Sequence, residues 1–369
     1  MKRTFWLNLL VLGLVLVLLS GCAGRQASPG AGDEKITLRF ANYFPGESGP
    51  GKIGSVFAED IKALTGGRVE VEYYPGGMLL GPDKMYDGVM EGIADIGLSN
   101  LAYTFGRFKV TEVLDLPLGF PNAWVANHVV SDFLKEYMPK EFEDTHILTL
   151  HTSPANNIIT VKVPVRKPED LKGLTLRGTG YIAKLVEALG GTARPVSMPE
   201  AYDNLSKGVI DGLLVPYETT KTFRYGEVTN YVTEVWPLGQ VYTFYLTMNK
   251  NIWEKLPADV QDIITKYIED EYQEKLAQMW NGIDIDGKKY AIESGYEIIE
   301  IAPGELATWQ NLANNVIKDY TASMVSAGYS EAEVNGWISF IRERIDYWSG
   351  KQIELGIKSS TGVDEVLFQ

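Results

Sequence analysis

Apolar and polar residues alternate from Ile36 to Phe40, the period of two expected of a strand with one buried face. From Ile53 to Leu64 the apolar spacing lengthens to three and four, which predicts a helix, and Gly66-Gly67 closes it. Val69–Tyr73 alternates again as a strand. Pro82 opens a short helix, Asp95–Leu98 reads as a strand, and Ala123–Tyr137 reads as a helix that ends near Pro139. At about Asn156 the rhythm restarts, with strands over Ile158–Lys162 and Leu174–Arg177 and helices over Tyr181–Leu189 and Pro199–Lys207. Two successive series of βα units predict an α/β protein of two lobes.

The longest periodic stretch begins at Pro257 and carries Val260, Ile263, Ile264, Tyr267, Ile268, Tyr272, Leu276, Met279, Trp280 and Ile283 on one helical face. Continuous to about Tyr290, it would span about 50 Å at 1.5 Å per residue. One lobe does not need such a length, so the segment reads as a brace between two. Its aromatic, irregular face does not suit a coiled coil.

At the amino terminus, Lys2 and Arg3 precede an apolar run from Leu9 to Leu19 that only Gly13 interrupts, and residues 1–21 read as a signal peptide. The run is shorter than the roughly 20 residues of a membrane span. Leu19-Ser20-Gly21-Cys22 resembles the lipobox of bacterial lipoproteins, which makes Cys22, the only cysteine, the expected site of lipidation. Residues 22–34, rich in Gly, Ala, Ser and Pro, read as a flexible tether, so contact with the membrane is expected through the lipid alone. Glu365–Gln369 looks like the left half of a viral protease site and is expected to lie outside the fold.

Composition narrows the function. Loss of Lys2 and Arg3 with the signal takes the formal charge from -14 to -16, which disfavours nucleic acid as a partner. His128, His146 and His151 lack metal-ligand spacing, and neither a Gly-x-Ser-x-Gly elbow nor a phosphate-binding Gly-Lys-Ser/Thr loop occurs, so no cofactor or metal is expected. Glu200 with Glu218 is a carboxylate pair on which an extracytoplasmic hydrolase would rest. A ligand-binding sensor of the same build is the other alternative to transport.

One ordered set of blocks is more specific: Pro168-Glu169-Asp170-Leu171-Lys172-Gly173-Leu174-Thr175-Leu176-Arg177, Ala188-Leu189-Gly190-Gly191, Met198-Pro199-Glu200-Ala201-Tyr202 and Gly208-Val209-Ile210-Asp211-Gly212. With Tyr73-Tyr74-Pro75-Gly76-Gly77, Gly92–Gly97 and Asn249–Trp253, it resembles the substrate-binding subunits of tripartite ATP-independent periplasmic (TRAP) transporters over nearly the whole mature chain. The resemblance implies an α/β, two-lobed periplasmic-binding-protein-like fold with a long hinge-spanning helix. The expected division is residues 35–154 and 242–281 in lobe I, 155–241 and 282–346 in lobe II, and 347–369 as a tail. It further implies a non-enzymatic, extracytoplasmic protein that closes on a small organic acid and delivers it to TRAP membrane subunits.

The resemblance places the carboxylate clamp at Arg177, and the chemistry suits it: a guanidinium stays charged when desolvated and presents a rigid fork to two oxygens. Gly178-Thr179-Gly180 follows where many members have Val-Pro, so Thr179 either bonds the ligand or starts a helix. A second arginine of some members falls at Asn157, the family's asparagine after Asp-Gly falls at Val215, and a stacking aromatic falls at Met198. These departures point to a different acid. Tyr43, Phe44, Tyr103, Tyr217, Trp236 and Tyr242 are candidates for the rest of the pocket wall, and each is equally suited to core packing. Arg107 reads either as a second cationic contact or as a structural ion pair, and Glu200 as a helix cap with Ser197. One cation beside an aromatic wall points to a monocarboxylate, a hydroxy or keto acid.

Overall fold

Residues 35–366 are described by a computed structural model. Eleven strands among them form two sheets. In chain order these are β1 (Ile36–Asn42), β2 (Val69–Tyr74), β3 (Ile96–Asn100), β4 (Thr145–Thr152), β5 (Asn157–Thr160) and β6 (Thr175–Arg177). They continue as β7 (Thr192–Arg194), β8 (Gly212–Val215), β9 (Tyr231–Glu234), β10 (Thr243–Asn249) and β11 (Glu297–Glu300). The first sheet has the order β2-β1-β3-β10-β4, with β1 and β3 parallel and β10 antiparallel to both its neighbours. The second has the order β11-β9-β5-β8-β6-β7, with β6 parallel to both β7 and β8. The chain passes from the first sheet to the second after β4 and returns before β10.

The main helices are α1 (Gly49–Leu64), α2 (Ala123–Tyr137), α3 (Gly180–Ala188), α4 (Met198–Ser206), α5 (Ala258–Tyr267), α6 (Gln273–Glu293), α7 (Leu306–Ser326) and α8 (Glu331–Leu355). α1 shows why such segments fold as they do: the Ser48 hydroxyl accepts from the Gly51 amide to cap it, and Ile53, Phe57 and Ile61 bury one stripe. Phe57 meets Phe40 of β1 and Tyr267 of α5, and burying such a ring contributes about 1.5–3 kcal/mol.

The expected brace is present. α5 and α6 are joined through a single π-helical turn, Ile268–Tyr272, so the helical path runs unbroken from Ala258 to Glu293. Both sheets hold it. Near its middle the Gln273 amide donates to Leu150 O and its Oε1 accepts from Thr149 of β4. About three and four turns further on, Asp284 accepts from the Glu218 amide beyond β8, and Lys288 pairs with Glu234 of β9. Gly287 makes this approach feasible, because a Cβ there would sit 2.6 Å from the Glu218 nitrogen and the Tyr217 carbonyl.

Two boundary expectations need correction. The division at 346/347 falls inside α8, whose Arg344 and Trp348 both bond Asp132 of α2. Near the end of α8 the buried Gln352 bonds Asn122, Ile357 O and Ser359, and beyond the helix Ser359–Thr361 are buried, the Thr361 hydroxyl donating to Pro121 O. Buried polar groups need such partners, and these tie residues 352–361 into the body. Glu365, expected outside the fold, pairs with Lys288 at 2.5 Å, and the Val366 amide bonds Ser359 O. The signal segment, Cys22, the tether and residues 367–369 lie outside the described residues.

Candidate ligand-binding site

The carboxyl ends of parallel strands converge between the sheets, the usual place for a ligand in open α/β folds. From the first sheet come Tyr43 and Phe44 beyond β1, Asn100 and Tyr103 at the end of β3, Ser153 beyond β4, and Tyr242 and Phe244 at the start of β10. From the second come Arg177 at the end of β6, Met198 at the start of α4, Val215 and Pro216 at the end of β8, and Glu218 and Thr219 just beyond. α6 adds Trp280. Together they enclose a cavity of about 20 Å³, room for about one water molecule.

Arg177 is the centre of this cavity and is only 1 % exposed. Its Nε donates to Val196 O at 3.0 Å, Nη1 to the Tyr242 hydroxyl at 2.6 Å, and Nη2 to the Tyr103 hydroxyl at 3.4 Å. Among the described residues no carboxylate lies within ion-pair distance of it, and tyrosines surround it instead. A buried, unpaired cation is costly, and guanidinium cannot escape by deprotonating. Three of its five N–H groups are used by the protein, leaving two for another partner.

The apolar side of the cavity is a cluster of rings. Phe244 stacks on Trp280 at 5.3 Å, and Phe44 meets both, at 5.6 and 5.7 Å. His151 stacks behind Phe244 and accepts a hydrogen bond from the Trp280 indole at 2.9 Å. Burial holds its pKa down at about 3, so it is a neutral acceptor that orients the tryptophan. Tyr103 joins the two sides, since its hydroxyl accepts from both Arg177 and the Met198 amide, the latter at 3.1 Å. Tyr43 and Tyr103 also line a larger outer groove of about 790 Å³, so they form the wall between it and the cavity.

Seven of the residues expected here meet in the cavity: Tyr43, Phe44, Tyr103, Arg177, Met198, Val215 and Tyr242. Four do not line it: Tyr217, Asn157, Thr179 and Trp236. Tyr217 turns away from it, its hydroxyl donating to Glu234 at 2.8 Å and its ring lying 5.5 Å from the Lys288 ammonium. Asn157 accepts from the Trp236 amide at 3.2 Å through Oδ1, which ties β5 to the segment leading to β10. Thr179 lines the outer groove at the start of α3, where its hydroxyl is buried and makes no bond to the helix end. Trp236 lies beside Lys288 in a separate groove. Arg107 is a structural ion pair, 2.7 Å from Asp87 and over the Tyr86 ring. Glu200 caps α4 through the Ser197 amide and hydroxyl, whose hydrogen bonds lower its pKa.

Reasoning from sequence missed Asn100, Ser153, Thr219, Phe244 and Trp280 as wall residues and weighed Glu218 only as half of a hydrolytic pair. Asn100 and Ser153 carry no distinctive signal, because their oxygens are engaged by the Ala102 and Tyr242 amides. Glu218 is the unusual member. It is 3 % exposed, its Oε2 has no hydrogen-bond partner, and burial pushes its pKa up to about 8.

A model of the bacterial extracellular solute-binding protein family 7 matches residues 42–323. The chain belongs to that family. It is a family of transport proteins that bind solutes and not a family of enzymes. The C4-dicarboxylate-binding periplasmic protein DctP of Rhodobacter capsulatus is 26% identical over 291 residues, 77% of this chain and 86% of that protein. A TRAP periplasmic solute-binding protein from Desulfovibrio salexigens is 32% identical with a TM-score of 0.74, covering 86% of this chain and 98% of the other. It was solved as an open complex with the C-terminus of a symmetry mate in its ligand-binding site. A TRAP solute-binding protein from Rhodoferax ferrireducens, in complex with copurified benzoate, is 27% identical with a TM-score of 0.80, covering 86% and 99%. Family 7 proteins bind small organic ligands and work with membrane subunits, and the two-lobed α/β fold is shared with these structures. Among the described residues no helix is long and apolar enough to cross a membrane.

Proposed function

We propose that this family 7 protein captures a small monocarboxylate with a flat apolar body, closes on it, and delivers it to TRAP membrane subunits while held to a membrane through lipid on Cys22. The buried, unpaired guanidinium of Arg177 carries the reading. A ligand carboxylate on its two spare N–H groups supplies the missing counter-charge. A second carboxylate would find no second cation on the cavity wall, where Arg177 is the only Lys, Arg or His. The rings of Phe44, Phe244 and Trp280 suit an aromatic or similarly flat body, in keeping with the benzoate bound by the Rhodoferax ferrireducens relative.

A cavity of about 20 Å³ is too small for any organic acid, so entry requires the two sides to separate and the Tyr103 bonds to Arg177 and Met198 to break. The ligand then stabilises a wider closed form, with Tyr103 displaced, by its contacts with both sides at once. A thermal-shift screen of the purified protein against monocarboxylates, dicarboxylates, amino acids and neutral sugars tests this. Bound ligand raises the melting temperature by mass action. The expected result is a shift confined to monocarboxylates; shifts produced only by sugars or amino acids would overturn the reading.

A further inference from the structure

The Glu218 side chain bonds Thr222, yet the fold leaves one of its two carboxyl oxygens, Oε2, unused. Its backbone amide donates to Asp284 of the brace helix at 2.9 Å, and this contact fixes the residue against α6. Its side chain points onto the cavity wall with Arg177, and Oε2 is buried there without a partner. β6, which ends at Arg177, pairs with β8, Arg177 facing Leu213, and Glu218 lies in the segment just beyond β8, so both residues line one space. Leaving a buried carboxyl oxygen unsatisfied costs about 1–3 kcal/mol, which a purely structural residue would shed by substitution to an apolar one.

From this geometry we infer that Glu218, as an uncharged carboxylic acid, is the specificity-determining group that hydrogen-bonds a hydroxyl or carbonyl oxygen on the body of the bound acid. Three observations support the uncharged form. No Lys or Arg among the described residues pairs with it, Asp284 adds like charge from α6, and burial pushes its pKa to about 8. A neutral carboxyl both donates and accepts, so it serves a hydroxyl or a keto oxygen, whereas a second carboxylate on the ligand would meet no cation there. The recognised class is therefore a monocarboxylate with one neutral oxygen function, and the unsubstituted acid is the weaker ligand. Sites built to bond a hydroxyl discriminate strongly against analogues that lack it, because their own group is left unpaired.

This inference rests on the acid-binding reading, and calorimetry with benzoate and its 2-, 3- and 4-hydroxy derivatives separates the two. Wild-type protein should bind at least one hydroxybenzoate about tenfold more tightly than benzoate. Glu218→Met and Glu218→Ala should abolish that preference, bringing the ratio of hydroxybenzoate to benzoate affinity to about one, and Glu218→Gln, which keeps a donor and an acceptor, should retain it. Melting temperatures identify any variant that fails to fold, and one folded loss variant suffices. A preference that persists in Glu218→Met or Glu218→Ala, an equal loss for benzoate and hydroxybenzoates, or a wild type with no preference overturns the role of Glu218 alone. Binding of none of the four acids by the wild type overturns the aromatic-acid reading and this assignment with it.

Discussion

Replacing Arg177 by methionine removes the charge and the fork but keeps an unbranched stem of similar reach. Three guanidinium N–H groups bond Val196 O, Tyr242 and Tyr103, and two remain for a ligand carboxylate. Hydrogen bonds to a charged group contribute about 1.5–3 kcal/mol each. Loss of two therefore lowers affinity by about 3–6 kcal/mol, roughly a hundredfold to ten-thousandfold. The ligand-free protein should respond quite differently. It loses the bond to Val196 O and two to tyrosine hydroxyls, yet it is relieved of an unpaired buried cation, and these effects oppose each other. Its melting temperature should stay within a few degrees of wild type. Isothermal titration calorimetry with a bound monocarboxylate, alongside thermal melts of the free protein, reads both quantities. Retention of affinity within threefold by a folded Arg177→Met variant would refute the clamp.

Other consequences follow from contacts already described. Gly287→Ala places a methyl 2.6 Å from the Glu218 and Tyr217 backbone, so it should destabilise the protein by about 1–3 kcal/mol and weaken acid binding by displacing Glu218; a melt and a titration matching wild type would count against it. Tyr217→Phe should leave acid affinity within twofold, because that hydroxyl bonds Glu234 outside the cavity, while costing about 1 kcal/mol of stability in denaturant titration. Burial raises Glu112 and Asp284 to about 7 and Asp115 and Glu218 to about 8, so between the unfolded carboxylate range near pH 4 and those values the folded state holds more protons. Stability from these four groups is fully present below that window and is lost as pH rises through it. His146 and His151, held at about 4 and 3, act in the opposite sense below pH 6.5, but they are two against four. Melting temperature should thus fall steadily from about pH 5 to pH 8.5, and a rise over that range would contradict the assignment of these groups.

How much was legible in the sequence depended on what each residue's neighbours are. α2 was read at its observed ends, Ala123–Tyr137, because Asn122 caps it and Pro139 follows it, and both are local signals. β10 escaped notice because Thr243–Asn249 is buried on both faces between β3 and β4, which erases the alternation of a half-exposed strand. The motif around Arg177 singled it out in the sequence, whereas its place on the cavity wall and its isolation from carboxylates are three-dimensional facts. Tyr217 and Glu218 were misjudged together: successive side chains take different directions, and only the packing of α6 against that segment decides which one meets the cavity. The tail was misplaced because Gln352 and Thr361 are polar in composition yet buried by pairing with Asn122 and Pro121, some 230 to 240 positions earlier in the chain, and Ser359 is buried against Gln352.

The most direct test is a crystal structure of the protein with the tightest-binding monocarboxylate from the screen. The account predicts the ligand carboxylate on the guanidinium of Arg177 within about 3 Å, its body against Phe44, Phe244 and Trp280, and its neutral oxygen on Glu218. A ligand found only in the outer groove, or beside Lys288 and Trp236, with Arg177 still bonded to Tyr103 and Tyr242 alone, would contradict it.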